Sequence, residues 1–215
     1  MELIRVCLFF VVVFTASAAE RQHHGVVFEQ WVRDTFFDGY QPSGYTQKWD
    51  IPANVNTRYG GIPANPKATR YKSPVDLGDA LRQFDVNEPF WLIIGYWDGS
   101  EGARKMVNIT AVRVEPAVWR KLWGGLTRAD LEKLDAVIKD RTLTYEEARR
   151  RAQEIKRQPP FAEAAITLNP KIDSKTQRRL QCSLSFPEVF RLLAPEADSQ
   201  AQEKPALWGV PWPGF

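Results

Sequence analysis

YTQKWDIPANVNTRYGGIPANPKATRYKSPVDLGDALRQF, residues 45–84, is the stretch on which the reading of the fold turns. Tyr45–Ile51 alternates as a strand does. Tyr45, Gln47, Trp49 and Ile51 share one face, and Thr46, Lys48 and Asp50 share the other. Ile51–Gly61 is a polar loop crowded with Asn54, Asn56, Arg58 and Tyr59. Ile62–Thr69 predicts a second strand with Asn65, Lys67 and Thr69 on one side. Ser73-Pro74-Val75-Asp76 predicts a helix start: Ser73 caps, Pro74 suits the first turn, and Asp76 meets the positive end of the helix dipole. That helix turns Val75, Leu77, Leu81 and Phe84 to a core.

If the two strands are neighbours, a carboxylate (Asp50), an amide oxygen (Asn65) and an ammonium (Lys67) converge at one point. Carboxylate and amide oxygens suit Mg²⁺, which is held by few protein ligands and keeps several waters. A lysine beside such a site can orient or deprotonate a water, or stabilise phosphate charge. This is chemistry for cutting phosphodiesters.

Upstream, Val26–Phe37 (VVFEQWVRDTFF) carries Phe28, Trp31, Val32 and Phe36 at helical spacing, with Glu29 beside the stripe. Glu29 reads either as a solvated helix carboxylate paired with Arg33 at i+4, or as a third ligand. A helix acid, an Asp on one strand, an x-Lys pair on the next and then a helix resembles the PD-(D/E)XK nuclease family, over residues 25–97. The resemblance implies a restriction endonuclease-like core and Mg²⁺-dependent hydrolysis of DNA. In that role Glu29 and Asp50 hold the metal, the Asn65 oxygen assists, and Lys67 activates or orients water. Lys72, Arg82 or Gln83, on or before the helix that would flank the site, would touch phosphate. The sequence departs from the family at two positions. Asn65 stands where an Asp or Glu is usual, and Pro66 lacks the N–H that a central strand uses, so that it fits there only at a bulge.

The 215 residues suit one domain with a real core, and a net charge of +3 permits nucleic-acid binding without arguing for it. Eight Trp and twelve Phe imply a large aromatic core or rings exposed to a ligand. Met1–Ala19 reads as a secretory signal: Arg5, the apolar run Val6–Phe14, and the small-residue pattern Ala16-Ser17-Ala18. The run is shorter than the roughly 20 residues of a spanning helix, so no stable membrane anchor is expected. Cleavage would leave residues 20–193 as a single secreted or periplasmic α/β domain, followed by a mobile Pro-rich tail, 194–215, whose Trp208, Trp212 and Phe215 could dock back or bind a partner. A mis-assigned start near His23 would instead leave the protein in the cytoplasm. Cys7 falls in the signal, so Cys182 has no disulfide partner.

Phe90–Trp97 (FWLIIGYW) reads as a strand buried on both faces, and Val107–Val114 as its neighbour. Thr127 and Thr144 open helices over 128–140 and 145–157. The second helix bears Arg149, Arg150, Arg151, Lys156 and Arg157, a face that is solvated or tracks phosphates. Ala164–Asn169 and Leu180–Phe186 predict two more strands, and Pro187–Leu193 a short helix. The turn between these strands carries Arg178 and Arg179. A hairpin with Arg and Gln facing out fits a DNA groove, as it fits any sheet with one wet face. Asn108-Ile109-Thr110 matches a glycosylation sequon but sits inside a predicted strand. No phosphate-binding Gly loop and no zinc spacing occur, and His23 and His24 are the only histidines. The expectation is a mixed α/β (α+β) fold, a central mixed sheet flanked by helices. It acts as a Mg²⁺-dependent DNA endonuclease or as a non-catalytic exported binding module.

Overall fold

The computed structural model describes residues 25–42, 44, 48–100, 103–174 and 176–214. The expected signal at Met1–Ala19 and the first part of the expected strand, Tyr45–Gln47, lie outside them. In chain order the elements are helix α1 (residues 25–36), strands β1 (Ala64–Arg70) and β2 (Val75–Asp79), helix α2 (Ala80–Phe84), strands β3 (Phe90–Asp98) and β4 (Lys105–Val114), and helices α3 (Pro116–Lys121), α4 (Arg128–Lys139) and α5 (Tyr145–Lys156). Strands β5 (Thr167–Ile172) and β6 (Arg178–Leu184) follow. Then come α6 (Phe186–Glu188), a π turn (Val189–Leu193) and a small hairpin of β7 (Ala206–Leu207) and β8 (Val210–Pro211).

The fold is mixed α+β, and its strands divide between two three-stranded sheets plus the hairpin. β3 lies at the centre of the first sheet, parallel to β1 and antiparallel to β4. Its apolar run is explained by burial on both faces. Leu92, Ile94 and Tyr96 enter one core, shared with α4, α5 and the second sheet, and Ile93 and Trp97 enter another, shared with α1. The second sheet has the order β2-β6-β5 and is antiparallel throughout.

Local chemistry accounts for the helices. Thr127 and Asp130 form a reciprocal capping box on α4, whose Leu131, Leu134 and Ile138 are buried. Thr144 caps α5, which buries only Ala148 and Ala152. Three basic residues of α5 have partners: Arg149 donates to the Ile172 carbonyl, and on the surface Arg150 pairs with Glu154 and Arg151 with Glu147, each one turn away.

Four expectations are corrected. Residues 48–50 are not a strand. Ile51 alone makes a bridge, to Ala64 with N–H···O distances of 3.0 and 2.8 Å, before a turn at Pro52. The helix expected from Ser73 begins seven residues later. Val75 and Leu77 are buried while Asp76 is exposed, so this stretch has a period of two and pairs with β6 through Leu184 and Ser183. A bulge shifts the register between Asp76 and Gly78, which lies at φ 88°, the pairing runs on to Asp79, and Asp79, not Ser73, caps α2. Pro66 needs no bulge, because β1 is the edge strand of its sheet.

The stretch from Ala194, read from composition as a mobile tail, instead folds back along the second core. Asn108 is fully buried and donates to the carbonyls of Asp198 and Gln200, so the sequon asparagine is a clamp. Leu207 is buried, Trp208 stacks on Tyr59 at 3.8 Å, and Trp212 meets Trp31 edge-on at 5.0 Å. Among the described residues no helix is long and apolar enough to cross a membrane.

Candidate functional site

The edge strand β1 meets both layers of the molecule, and a cleft of about 700 Å³ opens there. One wall comes from α1 (Val26, Glu29, Arg33), the segment around Lys48–Asp50, and β1 (Asn65, Lys67). The other comes from the second sheet and its helix: Leu77, Gly78, Asp79, Arg82, Gln83, Arg179 and Gln181.

Each catalytic-type side chain has a local reason for its position. Phe28 packs on Gly95 of β3, where a Cβ would lie 2.7 Å from its ring. Glycine at that point lets α1 approach the sheet closely, which brings the neighbouring Glu29 to the cleft. Asp50 follows a pinned segment. Glu88 accepts from Lys48 at 2.6 Å and from the Trp49 indole at 3.0 Å, and these bonds hold the Glu88 carboxyl below its ordinary value. Alternation along β1 puts Asn65 and Lys67 on the same side, as the sequence predicts.

Lys67 Nζ lies 2.7 Å from Asp50 Oδ2, in a part-buried ion pair. Glu29 stands within the field of both. Burial raises its carboxyl above the ordinary value; Lys67 pulls it down, Asp50 pushes it up and Arg33 pulls it down. Arg33 does not form the expected ion pair with Glu29; its Nη2 donates to Gln30 instead, at 2.9 Å. The side chains expected on one centre, Glu29, Asp50, Asn65 and Lys67, therefore line one cleft.

The expected substrate contacts divide. Arg82, Gln83 and Arg179 line the cleft. Lys72 does not; it lies at φ 63° in the turn before β2, over the Tyr71 ring. Arg178 is a structural residue. It donates to the carbonyls of Ile138, Asp140 and Leu143, satisfying the C-terminal end of α4. The loop residue Asn56 is likewise internal, bonding Tyr59 and Ile62. Arg33 and Gln181 were missed as cleft residues. Both were legible in principle: Arg33 is one helical turn from Glu29, and Gln181 alternates with Arg179.

The lining carries five cationic side chains (Arg33, Lys48, Lys67, Arg82, Arg179) against three carboxylates (Glu29, Asp50, Asp79), a balance that suits an anionic ligand. Among the described residues, no group of three or more His, Cys, Asp or Glu side chains is placed to hold a metal. Two carboxylates and an amide oxygen do fit Mg²⁺, which needs only one or two carboxylates beside water and phosphate oxygens. Burial is the main cause of the raised Glu29 carboxyl, and the smaller push from Asp50 is of the kind a cation relieves. No family model matches this chain, and neither a curated protein nor a solved structure does.

Proposed function

We propose that the cleft binds a nucleic-acid strand and hydrolyses its phosphodiester bonds with Mg²⁺, in the manner of a PD-(D/E)XK nuclease. The observation that carries this reading is the 2.7 Å contact of Lys67 with Asp50 on the cleft, with Glu29 in the field of both. Glu29 and Asp50 would hold the ion, and the Asn65 amide oxygen would complete the protein's share. A bound Mg²⁺ supplies a Lewis acid that neutralises charge on the phosphate. Lys67 orients the attacking water by donating to it and offsets charge gathering on the phosphate oxygens. Arg33, Arg82 and Arg179 draw in the backbone phosphates. The order of α1, the Asp50 segment, the Lys67 strand and α2 supports a restriction endonuclease-like core. Met1–Ala19, as an export signal, would direct the protein to the periplasm or outside the cell, to meet nucleic acid there.

The neutral Asn65 favours a second reading, an exported binding module with the same cleft and no catalysis. Incubation of the purified protein with plasmid and single-stranded DNA, with Mg²⁺ or Mn²⁺, separates the two. Metal-dependent cutting is expected, reduced at least a hundredfold in both Asp50→Ala and Lys67→Ala, as for loss of a group in direct contact with the reaction. Folded wild-type protein that binds DNA and never cuts it would leave the binding module.

A further inference from the structure

Gln83 is only 5% exposed, yet it lines the cleft on the wall built by the second sheet. Its backbone is held, because the main-chain carbonyl accepts from the Trp119 indole at 2.7 Å. Its side-chain Oε1 is buried and accepts no hydrogen bond. A buried carbonyl without a donor is costly, and most such groups in proteins are paired. Arg33, 7% exposed on the other wall, likewise has an unpaired Nε.

An amide presents an acceptor beside a donor. Its best complement is a group with a donor beside an acceptor. Every unpaired base offers this on its Watson–Crick edge, but on the major-groove edge only adenine does, with N6–H and N7, where guanine shows two acceptors and thymine one. A cleft of about 700 Å³ has the size of a pocket for one ligand, which suits an unpaired nucleotide whose base enters it. We propose that Gln83 reads the N6/N7 edge of an adenine in a single strand, with the Arg33 Nε donating to a neighbouring phosphate. This rests on the nucleic-acid reading of the same cleft and assigns it a substrate class.

The test is binding, without metal. Fluorescence anisotropy in EDTA would compare labelled single-stranded oligo(dA), oligo(dC) and oligo(dT) of equal length on the purified protein. Oligo(dA) is expected to bind about tenfold more tightly than oligo(dT). Gln83→Leu should abolish that ratio, keep the affinity for oligo(dT), and leave the melting temperature no lower, since the amide oxygen has no internal partner to lose. Gln83→Glu, which keeps the shape and removes the N–H, should shift the preference towards oligo(dC), whose N4–H₂ donates to a carboxylate. Tight binding without base preference, or a preference that survives both substitutions, overturns the role of Gln83 alone. Failure of every oligonucleotide to bind overturns the nucleic-acid reading with it, and neither result depends on whether the protein cuts.

Discussion

Glu29 is the residue where chemistry and stability meet. Burial holds its carboxyl above the ordinary value of 4.5, and Asp50 pushes the same way against Lys67 and Arg33. An acid whose folded value is raised binds its proton more tightly in the folded chain than in the unfolded one. Its contribution is fully present below the unfolded value and is lost as pH rises through the folded value. Glu29→Gln should therefore gain stability relative to wild type as pH climbs from 4.5, and urea denaturation across that range measures the gap. A gap that does not change with pH would remove Glu29 from the buried cluster. In the same window Mn²⁺ affinity should rise with pH in wild type, because the ligand must lose its proton, and stay weak and flat in Glu29→Gln. Asp50 and Lys67 were expected to meet across two neighbouring strands; they do meet, but Asp50 arrives from an irregular segment, so alternation explains only the side on which Lys67 stands. Arg178 and Arg179 were not told apart because both were placed in the turn; the strand takes in both, which sets Arg178 on the face of Leu180 and Cys182 and Arg179 on that of Gln181.

At the scale of elements, the contact of α1 with β3 positions the site. A Cβ at Gly95 would fall 2.7 to 2.9 Å from three atoms of the Phe28 ring, too close for the ring to stay. Gly95→Ala is expected to cost about 1–3 kcal/mol, the range for overpacking a filled core. Because the helix must shift to relieve the clash, Mn²⁺ binding should weaken more than the loss of stability alone explains. Calorimetry of folded Gly95→Ala checks this, and unchanged metal affinity would detach the helix position from the site. The elements most legible in the sequence were those with strong local patterns: β3 from its apolar run, β4 from its alternation, and α4 and α5 from their threonine caps. The misread element was β2. Val75 and Leu77 are compatible with a helix start after Ser73-Pro74, and what made them a strand was pairing with β6, more than a hundred residues further on.

Over the whole molecule, the C-terminal segment closes the second core. Leu207, Trp208 and Trp212 cover α1, Tyr59 and the outer face of the first sheet, and Gln202 and Asn108 tie the segment to β4. Trp208→Ala removes a ring that stacks on Tyr59 and meets Phe36, Phe37 and Trp91 edge-on, and is expected to cost about 2–3 kcal/mol. Thermal unfolding gives the measurement. A change below about 0.5 kcal/mol, typical of a surface substitution, would return this segment to the mobile tail its composition suggested.

The sequence by itself determined the mixed α+β class, the buried central strand, and the alternation that sets Asn65 and Lys67 side by side. Each follows from periodicity within a few residues, which is a local property of the chain. Tertiary structure alone decided that β1 is an edge strand able to carry Pro66, that Asp50 reaches Lys67 from an irregular segment, and that Gln83, a residue of the cleft lining, is buried with an unpaired oxygen. It also turned an Ala- and Pro-rich ending into the cover of a core. These depend on partners distant in the chain, and no local pattern encodes which surfaces will meet.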